Sequence, residues 1–321
     1  MSQFCVNPSP HIRHEDTIRS MMTDVCVALL PSLLWGLYAF GWRVLLLTAV
    51  SILSCNLAEA AAQKLMHRCV TLGDGSATVS GFLLALGMPH SAPLYVPMVG
   101  AVVAVVAVKV LFGGLGKNPC NPALAARAFL MIVFAAAMNR ACVPFLRATE
   151  SIGAVTPLRS LGNGMIPENV SVTDLLVGNV PGRIGEVSAL LLLAGFLYLL
   201  VRKVITWHIP VTYLGAVFFV TLLFPKTSSR LEFALYSVLS GGVILVAVFM
   251  ATDPVTSPVT TGGRLLFGAL CGVLTVLIRY FVYPEGACFA VLIMNLTVRF
   301  LDRLFQPRPY GALRFGTKET V

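Results

Sequence analysis

The chain has 321 residues, of which 57% are hydrophobic and only 12% charged, with a net charge of +9. That leaves too little Lys, Arg, Asp and Glu to coat a soluble globule of this length, so much of the apolar surface must face lipid. The surplus of cations does not indicate nucleic acid as a partner, because no basic stretch interleaved with aromatic residues is there to carry such contacts.

Residues 1–23 are polar, include Arg13 and Arg19, and lack the compact apolar core and small-residue cleavage site of an export signal. The first span itself is therefore expected to start insertion. Windows of about 20 apolar residues then predict spans at 25–40, 44–62, 77–89, 92–112, 122–138, 187–201, 204–224, 233–252, 265–282 and 288–301. The expected architecture is an all-α polytopic membrane protein of about ten helices, one integral domain over 1–321. Spans 77–89 and 288–301 are short and lie beside Gly, Pro and acidic residues. Broken or short spans expose backbone donors and acceptors, which marks a binding region in membrane proteins.

The distribution of Lys and Arg sets the expected orientation. With a cytoplasmic amino terminus, Lys64, Arg68, Lys117, Arg202, Lys203, Arg264, Arg299 and Arg303 all fall inside, leaving Arg43, Lys226 and Arg230 in short exterior loops. Both termini come out cytoplasmic. The long loop 139–186 then lies on the outer face, where Arg140, Arg147, Arg159 and Arg183 weigh little because long loops translocate largely regardless of charge.

Four polar constellations interrupt the apolar pattern. The stretch 73–81, GDGSATVSG, places Asp74 and hydroxyls at the start of the third span, where they can serve as an ordinary helix cap or present backbone donors to a ligand. The stretch 113–130, GGLGKNPCNPALAARAFL, puts two Asn-Pro corners, Asn118 and Asn121, at membrane depth. The stretch 251–263, ATDPVTSPVTTGG, repeats the acid-and-hydroxyl theme around Asp253, and YPEGAC at 283–288 sets Glu285 at the lip of the last span. Asp74 with Pro122 and Asp253 with Pro284 hint at an internal repeat. Glu59 lies within the second span, and Lys109 and Arg127 flank the Asn-Pro corners as candidate counter-charges. These acids are candidates for an ion path or for loop-holding salt bridges. The eight cysteines show neither C-x-x-C spacing nor a Cys/His cluster, and most read as small buried hydrophobes, with Cys120 set apart between the two corners.

The stretch 149–159, TESIGAVTPLR, in the outer loop reads by itself as an exposed turn. Taken with LFGGLGKNPCNPALAARAFL, DGSATVSGFLLALGMP, ATDPVTSP, YPEG and SPHIR in that setting, the chain resembles the D-subunit family of the Rnf complex, the ion-translocating ferredoxin:NAD oxidoreductase. It is more distantly similar to the B-type membrane component of the sodium-pumping NADH:quinone oxidoreductase. The resemblance implies a bacterial inner-membrane electron-transfer subunit bearing FMN, esterified through its phosphate to Thr156, with Arg147 and Arg159 beside the residual phosphate charge. The family's attachment pattern is approximately D-x-x-S/T-G-A-T-P-L, and here Glu150, Gly153 and Ala154–Val155 stand where it has Asp, Ser or Thr, and Gly-Ala. Thr149 and Ser151 are the neighbouring alternative hydroxyls. The resemblance also admits a non-covalent flavin. It implies as partners a flavin transferase, an outer-face flavoprotein subunit and cytoplasmic iron-sulfur and flavoprotein subunits, all in a lipid membrane. A stand-alone secondary transporter or channel without flavin is the other class that broken helices and a repeat would suit.

Overall fold

A computed structural model describes residues 17–68, 70–140, 142–145, 155–167, 170–186 and 188–306. Among them every regular element is helical, and the only extended pairing is an isolated bridge between Cys142 and Gly182. Helix α1 (Ile18–Phe40) opens on a capping box, in which the Ser20 N–H donates to Thr17 Oγ1 and the Thr17 N–H donates to Ser20 Oγ. It stops at Gly41, whose φ of 83° favours glycine. Next come α2 (Arg43–Leu65), α3 (Ser76–Leu86) and α4 (Tyr95–Val102), the last continuing as a π-helix over Val103–Val110. Pro122 stands in the first turn of α5 (Pro122–Val133), where its missing N–H costs nothing, and α6 (Ala135–Met138) follows a break at Phe134. Two short helices, α7 (Pro157–Gly162) and α8 (Val172–Val177), lie on the long connection. The second half comprises α9 (Ala189–Val201), α10 (His208–Leu223), α11 (Arg230–Leu239), α12 (Val243–Leu245) with a π-helical extension Val246–Met250, α13 (Thr261–Phe281) and α14 (Gly286–Leu304).

A helix lies at each of the ten predicted places. Among the described residues α1, α2 and α13 are long and apolar enough to cross a membrane singly, and α11 with α12 and its extension is so only when the two, bent by 57°, are counted together. Five shorter apolar helices, α3, α4 with its π-helix, α5, α9 and α10, fill the space between them. The chain is thus a multi-pass membrane protein. The predicted span 233–252 proves sharply bent, because Gly241 takes a φ of 71° between α11 and α12 and no helix can run through that conformation.

The two halves pack in the same order. In the first, α2 lies on α3 and α4, and the π-helix on α5; in the second, α10 lies on α11 and α13, and α13 on α14. They meet along α1 with α9 and α5 with α14. Close approach is built from small residues, as expected where lipid offers no hydrophobic drive for helices to associate. A Cβ at Gly81 would stand 2.8 Å from the Ile52 Cα, and one at Gly272 would stand 2.7 Å from the Tyr213 carbonyl oxygen. Ser51 Oγ uses the first approach to donate to the Gly81 carbonyl at 2.7 Å. Between α1 and α9, Asp24 accepts from Tyr198 at 3.0 Å and pairs with Arg202 at 3.1 Å.

Candidate functional site

Two polar centres lie at opposite ends of α5. At its start, the chain leaves the π-helix through Gly113, Gly114 and Gly116, all at positive φ, and reaches the Asn-Pro corners. Asn121 caps α5: its Oδ1 accepts from the N–H groups of Ala123 and Leu124 at 3.0 and 3.2 Å. Its Nδ2 crosses to the second half, donating to the Met250 carbonyl at 3.1 Å and to Asp253 at 3.5 Å. Asn295 on α14, with its amide in the orientation that suits both neighbours, accepts from the Asn121 N–H at 3.2 Å and donates to the Thr256 carbonyl at 3.1 Å. Asp253 in turn accepts from the Val255 N–H and the Thr256 hydroxyl, both at 3.3 Å. Burial pushes its carboxyl above the usual range, while those two bonds pull it back.

These groups border a cavity of about 390 Å³, with Ser76, Lys109, Asn118, Asn121 and Asp253 among its polar lining and residues such as Met22, Leu83 and Phe249 forming apolar wall. Asn118 donates to the Cys120 carbonyl at 3.3 Å, and its Oδ1 is buried with no partner among the described residues. Lys109, on the π-helix, pairs with Glu59 at 2.6 Å, the two side chains being 2% and 0% exposed. Asp74 closes a local turn, accepting from the Ser76 N–H and hydroxyl at 3.0 and 2.7 Å.

The other centre lies beneath Thr156. Thr156 caps α7, accepting from the Arg159 N–H at 3.3 Å, and Pro157 fixes the first turn. Its side chain borders a cleft of about 170 Å³ lined also by Arg140, Arg159, Arg183, Glu186, Ser240, Tyr283 and Glu285. The floor is a buried ionic cluster. Arg127 pairs closely with Glu186 and reaches Glu285 at 3.2 Å; Arg183 pairs closely with Glu285 and lies 3.9 Å from Glu186. The stretch around Arg183 is drawn into the interior by its backbone, the N–H groups of Ile184 and Gly185 donating to the carbonyls of Met88 and Leu86 at 3.1 and 2.8 Å. Burial and the neighbouring Arg127 push the Arg183 guanidinium down to about 10, which still leaves it charged at neutral pH. Arg279 lies close by and spends two donors on the end of α11, at 2.6 Å to the Ser237 carbonyl and 3.3 Å to that of Ser240. Three buried arginines thus face two glutamates. Ser240 Oγ and the Nε and Nη1 of Arg127 are buried there without partners among the described residues.

The structure therefore sorts the predicted residues into two groups. Thr156, Arg159 and Glu285 meet at one cleft, and Asn118, Asn121 and Asp253 at the other cavity. Asp74 belongs to neither lining, since its carboxylate is occupied by the turn that starts α3. Arg147, and with it Thr149, Glu150 and Ser151, lies outside the described residues. Lys109 and Arg127 do serve as counter-charges of the membrane acids, Lys109 of Glu59 and Arg127 of Glu285, and Arg127, about one and two-thirds turns along α5 from Asn121, pairs as well with Glu186. Sequence reasoning passed over Arg183, Glu186 and Arg279. The signal for the first two was an Arg and a Glu three residues apart, among glycines, directly before an apolar run.

Residues 5–311 match the model of the NQR2, RnfD, RnfE family. Among curated relatives, the chain is 40% identical to the D subunit of the Na(+)-translocating ferredoxin:NAD(+) oxidoreductase complex of Acetobacterium woodii, over 96% of each chain. It is 34% identical to the D subunit of the proton-translocating ferredoxin:NAD(+) oxidoreductase complex of Clostridium ljungdahlii over 97% of each. It is 36% identical to the D subunit of the ion-translocating oxidoreductase complex of Halorhodospira halophila over 96% of this chain and 95% of that one. With the match running through both polar centres and both halves, this chain belongs to the NQR2, RnfD, RnfE family.

Proposed function

We propose that the chain is the membrane electron-transfer subunit of an Rnf-type complex in a bacterial inner membrane, coupling ferredoxin and NAD redox chemistry to movement of Na⁺ or H⁺. The observation that carries this reading is the position of Thr156, whose hydroxyl-bearing side chain stands at the mouth of a cation-rich cleft in a chain similar throughout to D subunits. Thr156 is the anchor for a covalent FMN and takes no part in the chemistry. Arg159, on the same rim, and Arg140 suit a phosphodiester, and the unpartnered Ser240 hydroxyl with the surplus arginine of the floor suits the polar edge of a flavin ring. A flavin bound there supplies one- and two-electron transfer. The chain's own residues hold it at the surface, present donors to its ring and keep the ionic floor dry.

In this reading both termini are cytoplasmic, the loop 139–186 is outside, and the shared packing order of the halves reflects an internal repeat. The larger cavity, at the inner end, accommodates a second, non-covalent flavin against Asn118. Its partners are the outer-face flavoprotein subunit, the cytoplasmic iron-sulfur and flavoprotein subunits, and the transferase that reads the Thr156 tag. The deciding experiment is in-gel fluorescence of the denatured chain co-produced with its flavin transferase, followed by mass analysis of the labelled peptide. Thr156→Val, which keeps the branched shape and removes the oxygen, abolishes the fluorescence, and Thr156→Ser retains part of it. Label on Thr149 or Ser151 moves the anchor. No label on the wild-type chain removes the covalent carrier and returns the reading to a transporter without flavin.

A further inference from the structure

The Glu59–Lys109 pair has no part in either reading above, yet its surroundings are those of a working site. Both side chains are buried, on α2 and on the π-helix that follows α4. Glu59 Oε1 is doubly bonded, accepting from Lys109 Nζ at 2.6 Å and from Gln63 Nε2 at 3.0 Å. Glu59 Oε2 is buried with no partner among the described residues. A structural ion pair would be expected to use both carboxylate oxygens, since each unmade bond at a buried charge is costly.

The pair also stands between two exits. On one side Lys109 borders the 390 Å³ cavity and donates to Ser76 Oγ at 2.5 Å, and Ser76 donates to Asp74 at 2.7 Å. On the other, Gln63 donates to Thr71 Oγ1 at 2.9 Å, and Thr71 is exposed. A polar chain thus runs from the surface through Thr71 and Gln63 to Glu59, and from Glu59 through Lys109 to the cavity. The remaining ionisable groups near the carboxylate are Cys55, one turn back on α2, and Arg68, which donates to the Val110 carbonyl at 3.1 Å.

We propose that Glu59 is a proton-binding site gated by Lys109. While the ammonium rests against Glu59, the carboxylate is ionised and the pair is neutral. Negative charge in the cavity draws Lys109 by its flexible stem, and Glu59, left buried and uncompensated, takes one proton from solvent on its free Oε2 while Gln63 holds Oε1. One electron arriving on a redox-active ligand of the cavity is thereby matched by one proton, and oxidation returns both. This last coupling rests on the electron-transfer reading. The gating itself does not, because it follows from the pair alone.

Infrared spectroscopy of the full-length chain in lipid vesicles tests the gate. The Lys109→Met variant at pH 7 should show the carboxylic C=O band of a protonated glutamic acid that the wild type lacks, and Lys109→Met/Glu59→Gln should lose it. A folded Lys109→Met protein whose spectrum matches the wild type overturns the proposal. The coupling is tested in the assembled wild-type complex reduced with dithionite: the same band should appear on reduction, and Glu59→Gln should abolish it. Reduction without that band overturns the coupling even if Lys109→Met cannot be recovered. Loss of fluorescence at Thr156 would leave the Lys109→Met result untouched, so failure of the flavin assignment and failure of the gate are distinguishable.

Discussion

The two ends of α5 solve the problem of polar groups at membrane depth in different ways. The Thr156 end gathers formal charge, with Arg127, Arg183 and Arg279 against Glu186 and Glu285. The Asn121 end uses amides, hydroxyls and backbone, keeping its ionised residues in one balanced pair and one half-buried acid, Asp253. Charge clusters cost heavily when one member is removed, whereas amide networks lose one or two bonds at a time. The Thr156 end should therefore behave as a unit and the Asn121 end as separable parts.

The sharpest way to break that contrast is to remove Arg127. Arg127→Leu takes away the close partner of Glu186 and leaves it only Arg183 at 3.9 Å, and thermal unfolding in detergent should register a loss of about 3–5 kcal/mol. Arg127→Met/Glu186→Gln should recover most of it, because the two charges leave together and the net charge of the cluster is unchanged. A loss from Arg127→Leu no larger than that from Asn121→Ala would mean the cluster is not a unit. The next effect in size is the cap of α5: Asn121→Ala deletes two capping bonds and the link to Met250, and should cost about 1–2 kcal/mol. Smallest is Asn118→Ala, which removes a single 3.3 Å bond and should shift stability by under about 1 kcal/mol. If Asn118 serves a cavity ligand, the same change should lower electron transfer in the assembled complex far more than it lowers protein yield. Equal loss of both would make Asn118 a structural corner.

Helix placement was legible because composition and span length are one-dimensional properties. The ten apolar windows needed no knowledge of what packs on what, and the Asn-Pro corners announced a break because proline and a polar amide cannot be hidden in lipid. The pairing of charges was legible only in part: Lys109 and Arg127 stand out as counter-charges of the membrane acids, and Glu59 and Glu285 are among their partners, but nothing local points to Glu186 or Arg183. A long guanidinium on a helix reaches whatever the neighbouring elements bring, and for Arg127 those are a loop stretch 59 residues on, which its sequence context does not announce, and the last helix start 158 residues on. Arg183 was discounted as one cation among several in a long loop, where nothing local says that residues 183–186 fold back under α3. Of the candidate site, the hydroxyl anchor and the corner amides could be picked out by residue type. The ionic floor required the fold.

Both π-helical stretches lead directly into polar turns, Val103–Val110 toward the Asn-Pro corners and Val246–Met250 toward Asp253. A π-helix amounts to an α-helix that has absorbed an extra residue, and single deletions convert one into the other with little loss of hydrogen bonds. Forcing the same residues into an unbroken α-helix would shift everything after the bulge by one residue, turning Lys109 by about 100° about the axis and out of reach of Glu59. The wide helix acts as a spacer that sets which way a cation points.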